Sequence, residues 1–133
     1  MLPLEKITAA KSSGFPVPAK RRVESSLAAS AAFAFANGVK LETVGRNLLH
    51  SPPSPDWQVM LVADLFYEKP VAELMLRWLA QARENGSAVY IADASRPFTP
   101  RTGVEVLMEE KYSTDKDLEG SANRMVRLLA YLP

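Results

Sequence analysis

The sequence has no cysteine and a single histidine, His50, among its 133 residues. A disulfide framework, a thiolate nucleophile and a cysteine zinc site are excluded, and multi-histidine metal sites go with them. A serine-histidine triad would have to use His50, which sits beside the proline-rich loop SPPSPD. An excess of one charge is also missing, since 16 Lys and Arg stand against 15 Asp and Glu. The broad field with which nucleic-acid and anionic-membrane binders attract their partners is therefore absent. No apolar run approaches the roughly 18 residues that a membrane-spanning helix needs. With 47% hydrophobic and 23% charged residues, the composition is that of one ordinary globular domain. The expectation is a cytoplasmic protein that contacts neither nucleic acid nor membrane and holds no metal.

What is present changes along the chain. Residues 1–27 carry Lys6, Lys11, Lys20, Arg21 and Arg22 against Glu5 and Glu24, with three prolines and a Ser-Ser-Gly step. This composition predicts an irregular basic head that adds little to a core. Its Ser and Ala are compatible with an organelle transit peptide, but arginine is sparse and the prolines oppose an amphipathic helix. The short KRR cluster reads as a solvated turn.

From Ser26 the run SLAASAAFAFAN is rich in the best helix former, and Asn37-Gly38 supplies a stop. The alternation in VKLETVG predicts a short strand. WQVMLVADLFY is a continuous apolar run, the pattern of a strand buried on both faces within a parallel sheet. A helix follows: Pro70 suits a first turn, Val71, Leu74, Met75, Trp78, Leu79 and Ala82 recur at steps of three and four, and Asn85-Gly86 ends it. AVYIADA is a second buried strand, so Val59 to Asp93 reads as a right-handed parallel crossover unit. VEVLMEEKYS and RMVRLLAYL read as two strands, or a strand after a short helix, joined by the charged turn TDKDLEGSAN and closing the sheet in antiparallel fashion. The fold class is α/β.

Open α/β sheets bind ligands at the carboxyl ends of their strands. Here that places Asp64, Tyr67 and Glu68 after one strand and Asp93, Ser95 and Arg96 after the next. In D-L-F-Y a carboxylate could attract a substrate ammonium while the phenol ring offers its π face. Asp64 could equally cap the following helix, with Tyr67 sealing its packing. Arg96 belongs either to the rim of the same cleft or to a turn in which it pairs with a carboxylate. Trp57 and Trp78 read as packing anchors.

The ordered set Asn37-Gly38-Val39, Asn47-Leu48-Leu49, Asp64 to Glu68 and Asp93 to Arg96, with the tail STDKDLEGSANRMVRLLAYLP, resembles the C-terminal part of a class I, seven-strand, S-adenosylmethionine-dependent methyltransferase. The group is that of the electron transfer flavoprotein beta-subunit lysine methyltransferases and their bacterial, nicotinamide N-methyltransferase-like relatives. The resemblance covers residues 28–133 and implies a partial Rossmann-like sheet comprising the family's strands three to seven. It implies methylation of a protein lysine, with S-adenosylmethionine as donor and electron transfer flavoprotein beta subunit as one acceptor. Asp64 and Tyr67 fall on the family's D-x-x-Y element, which places the acceptor amine; Glu68, Asp93 and Arg96 border the substrate. Asn47 matches an acidic position that binds the adenine amino group, and Leu48 lies next to it. The family's Pro-Gly before the arginine is Ala94-Ser95 here. The family's glycine-rich turn after its first strand has no counterpart, because Gly14, in SSGFPVP, is the only glycine before Gly38. The resemblance thus implies a truncated or rearranged chain impaired in donor binding, with the family's strand four left open to self-association. A non-catalytic interaction module built from the same remnant is the alternative.

Overall fold

A computed structural model describes residues 19–113 and 123–133. The chain divides into two compact units, one ending at His50 and the other running from Ser51 to Pro133. Among the described residues no helix is long and apolar enough to cross a membrane.

The first unit contains helix α1 (Ala19–Ala36), longer at its start than the alanine-rich run suggests, so residues 19–27 are helical rather than irregular. The rest of the head, residues 1–18, lies outside the described residues. The stop at Asn37-Gly38 is formed as expected. Gly38 takes φ 63° while its N–H and that of Val39 donate to the carbonyls of Phe35 and Ala34, closing the exposed end of the helix. Asn37 Nδ2 adds a bond to the Phe33 carbonyl at 2.8 Å.

Residues 39–45 are not a strand, contrary to the alternation of Val39, Leu41 and Thr43. Alternation prepares two faces, but a strand exists only where a neighbour completes its ladder, and no strand among the described residues pairs with this segment. The expected fifth strand, the family's third, is therefore absent. The chain instead makes a short 3-10 turn at Leu48–His50.

The second unit is a four-stranded mixed sheet with one helix: β1 (Val59–Ala63), α2 (Lys69–Glu84), β2 (Ala88–Asp93), β3 (Val104–Ser113) and β4 (Asn123–Tyr131). The spatial order is β1-β2-β4-β3. β1 and β2 are parallel, joined through α2, whereas β4 enters antiparallel to both β2 and β3. The last two segments are thus both strands; the charged turn between them falls on residues 114–122, outside the described residues.

α2 forms where its period predicts. Pro70 occupies the first turn, where a missing N–H costs nothing, and Asn85 ends the helix ahead of Gly86 at φ 97°. Its apolar stripe of Ala72, Met75, Leu79 and Ala82 is buried with Val62, Phe66, Val89, Ile91, Leu129 and Tyr131, and these residues are the core. Burial of each larger side chain contributes about 1.5–3 kcal/mol against chain entropy. Trp57 and Trp78 meet with ring centroids 5.8 Å apart, and Trp78 Nε1 donates to the Ser51 carbonyl at 2.7 Å, which ties the proline-rich loop to α2.

β1 corrects the reading of a strand buried on both faces in the middle of a sheet. Among the described residues it is an edge strand, as the open strand of the resemblance implied, and only one of its faces is covered: Val62 is 7% exposed, while Leu61, one residue earlier and on the opposite face, is 63% exposed.

Candidate functional site

β1 and β2 run parallel, so their carboxyl ends open on the same side of the sheet, and the two loops that leave them lie against each other. The amide of Phe98 donates to the carbonyl of Phe66 at 2.9 Å, and Phe66 is buried beneath. Asp64 turns the chain out of β1 with φ 57°, and Ser95 does the same after β2 with φ 61°. These are the only two residues other than glycine with positive φ among the described residues. A left-handed backbone at a side-chain-bearing residue costs about 1–3 kcal/mol and persists only where the surroundings fix it.

The surroundings do fix the loop after β2. Asp93 is 4% exposed, and its Oδ1 accepts from the Arg96 amide at 3.0 Å and from Thr99 Oγ1 at 2.6 Å. A carboxylate that binds the amide three residues on holds a turn shut. Ser95 Oγ donates to the Met125 carbonyl at 2.9 Å and Arg124 Nη1 to the Ala94 carbonyl at 3.0 Å, fastening the loop to β4. Asp93 is thus a structural carboxylate that shapes the site from below.

The turn delivers the Arg96 side chain across to the loop after β1, where its Nε donates to Asp64 Oδ1. Asp64 and Arg96 come together as an ion pair across the two strand ends. Asp64 does not cap α2: Glu68 is the N-cap residue, in an extended conformation and without a side-chain cap bond. Tyr67 is half-buried and Glu68 exposed, both on the loop that Asp64 begins.

Asn47 and Leu48 belong to the first unit. Asn47 Oδ1 accepts from the Leu49 amide at 3.0 Å and its Nδ2 lies 3.4 Å from His50 Nε2, so the side chain that sequence matching aligned with adenine holds the Leu48–His50 turn. Among the described residues no cluster of histidine and acidic side chains is placed to hold a metal ion.

S-adenosylmethionine requires a backbone turn for its methionine end and acceptors for its ribose hydroxyls. Among the described residues the glycines with positive φ are Gly38 after α1, Gly86 at the amino end of β2 and Gly103 before β3, so none of these follows the carboxyl end of a parallel strand. The carboxylates at those ends, Asp64 and Asp93, are engaged by Arg96 and Thr99. The described residues do not fit the donor. Comparison with protein-family models and with curated proteins finds no match for this chain.

Sequence reasoning located both strand-end carboxylates but missed Thr99, Phe66 and the Arg124–Met125 stretch of β4, which hold the loops. The Asp-x-x-Arg spacing carries a turn signal; nothing in the sequence singles out Thr99.

Proposed function

We propose that these 133 residues carry the acceptor side of a class I, seven-strand, S-adenosylmethionine-dependent methyltransferase domain whose acceptor is a protein lysine. The observation that carries this reading is the order β1-β2-β4-β3, with the last strand inserted antiparallel between two strands that run the other way. The seven-strand sheet closes in the same order, which supports reading β1, β2, β3 and β4 as counterparts of that fold's strands four, five, six and seven. A second support is Ser95. The family has glycine at this position, and Ser95 holds φ 61°, the left-handed conformation that glycine adopts without strain.

In this reading Asp64 attracts the acceptor's ammonium at the sheet's carboxyl end and Tyr67 lines the approach, while Asp93 positions the turn that carries Arg96. Electron transfer flavoprotein beta subunit is the acceptor that the resemblance suggests. A second reading, a non-catalytic module that binds the acceptor protein without a donor, is favoured by the engaged state of Asp64 and Asp93 and by the missing glycine turn. Among the described residues β1 is paired with a strand on one side only, which also gives two copies of the chain a route to associate.

The test is a pair of titrations on one sample confirmed as folded by circular dichroism. S-adenosylmethionine is followed by calorimetry, and purified electron transfer flavoprotein beta subunit by interferometry. Donor binding in the micromolar range supports a catalytic chain. Acceptor binding alone supports the non-catalytic module. A folded chain that binds neither overturns the methyltransferase reading.

A further inference from the structure

We propose that Arg96 is a built-in occupant of the acceptor-cation position, and that a lysine ammonium binds at Asp64 by displacing the Arg96 guanidinium. The inference rests on the acceptor-site reading above and specifies how that site is regulated.

The first argument is how firmly the arginine is presented. Most exposed ion pairs join two freely moving side chains and lose in entropy what they gain in attraction. Here the backbone on both sides is held in place. The Arg96 amide is bound to the buried Asp93 carboxylate, Ser95 is fastened to the Met125 carbonyl, and the Phe98–Phe66 bond locks the two loops together. Asp64 and Ser95 both keep left-handed backbones that bring their loops into this arrangement. The guanidinium is therefore aimed at Asp64 by the fold.

The second argument is that the contact remains open to exchange. The Asp64 side chain is 57% exposed and that of Arg96 is 30% exposed, so water and a competing cation reach the carboxylate. An exposed pair of this kind is weak enough for a second cation to replace it without unfolding anything. A guanidinium and an alkylammonium are both donors only, and both satisfy a carboxylate. The half-buried Tyr67, three residues along, adds a ring face that favours an incoming cation. The pair therefore acts as a filter. A neutral side chain offers Asp64 only an uncharged hydrogen bond, an anionic one is repelled, and a cation binds only to the extent that it outcompetes Arg96.

The decisive experiment titrates the full chain with Nα-acetyl-lysine methylamide at low ionic strength, following backbone amides by 15N–1H NMR. The amides of Asp64 and Tyr67 should move in the wild type, and Asp64→Asn should abolish the change. Arg96→Gln should bind the probe about three- to fivefold more tightly, because its carboxylate no longer has an internal partner. Arg96→Lys, which keeps a weaker internal cation and leaves the turn intact, should fall between the two and serves in place of Arg96→Gln if that variant fails to fold. A structural clasp alone would lower the stability of Arg96→Gln and leave affinity for the probe unchanged. Unchanged or weaker affinity in the Arg96 variants, with the Asp64→Asn loss intact, overturns the displacement and leaves the acceptor site standing. No response at Asp64 or Tyr67 in any of the proteins overturns the acceptor site itself, and the displacement with it.

Discussion

At one edge of the sheet β1 presents VMLVA, five residues without a charge, a proline or a bulge, and at the other edge β3 presents ten residues that include Glu105, Glu109, Glu110 and Lys111. β3 also shifts register between Val106 and Met108, which interrupts its ladder to β4. Charges and bulges are the devices by which a sheet prevents its edge from pairing with another chain. β3 has both and β1 has neither. The two strands differ in depth as well, because β1 contributes Val62 to the core while no residue of β3 is buried. β3 is composed to end the sheet in water. β1 has the composition of an interior strand and occupies an edge.

The largest test of this contrast uses one chemical change on both strands. Val62→Ala removes buried methyl groups from the core and should cost about 2 kcal/mol in urea unfolding, cavity included. Val106→Ala acts on a side chain that is 52% exposed and should stay within about 0.5 kcal/mol. Equal losses would mean that β3 is as much a part of the core as β1.

The next effect concerns association. Sedimentation velocity over a range of concentrations should show self-association of the wild type that Leu61→Lys weakens at least about tenfold, or 1.4 kcal/mol. Met108→Lys on the charged edge should leave it unchanged. If both substitutions act alike, the open apolar face rather than the β1 edge is the sticky element.

β1 also marks the limit of what the sequence disclosed. An apolar run announces that a strand prefers an apolar environment; how many of its faces find a neighbour depends on elements elsewhere in the chain, and here Val62 is buried while Leu61 on the opposite face is exposed. α2 was legible in full because everything that specifies it is local: Pro70, the three-and-four spacing, Asn85-Gly86. The segment 39–45 had the alternation of a strand and no ladder to join. At the site, Asp64 and Asp93 read alike as carboxylates closing strands. Their different fates follow from Arg96 and Thr99, whose approach is set by left-handed turns at Asp64 and Ser95 that neither residue type announces.

A smaller effect should come from the charges on the guarded edge. Arg127 Nε on β4 lies 2.6 Å from Glu109 Oε2 on β3, opposite it in register, with both side chains nearly half exposed. Glu109→Gln should cost about 0.2–1 kcal/mol at low salt and less at high salt, where such pairs are screened. A larger loss that salt does not reduce would assign the pair to the structural core.

The smallest effect is confined to alkaline pH, and it distinguishes the two edges because no residue of β1 titrates. Tyr131 ends β4 in register with Val104 of β3, and burial raises its phenol above the ordinary value of 10.0. Its hydroxyl reaches the Leu76 carbonyl at 3.4 Å. Tyr112 on β3 is raised as well, by its 2.9 Å hydrogen bond to Glu110 and by that carboxylate's charge. A phenol whose folded value lies above its unfolded one keeps its proton longer in the native state. Its contribution is therefore complete below pH 10 and is lost as the pH climbs through the folded value. Thermal unfolding of the wild type should fall more steeply above pH 10 than that of Tyr131→Phe, which cannot ionise there, and amide exchange should quicken first along β3 and β4. Parallel pH profiles for the two proteins would remove Tyr131 from the balance. Early loosening of β1 under the same conditions would show that the uncharged edge, although free of titrating groups, depends on the charged edge for its support.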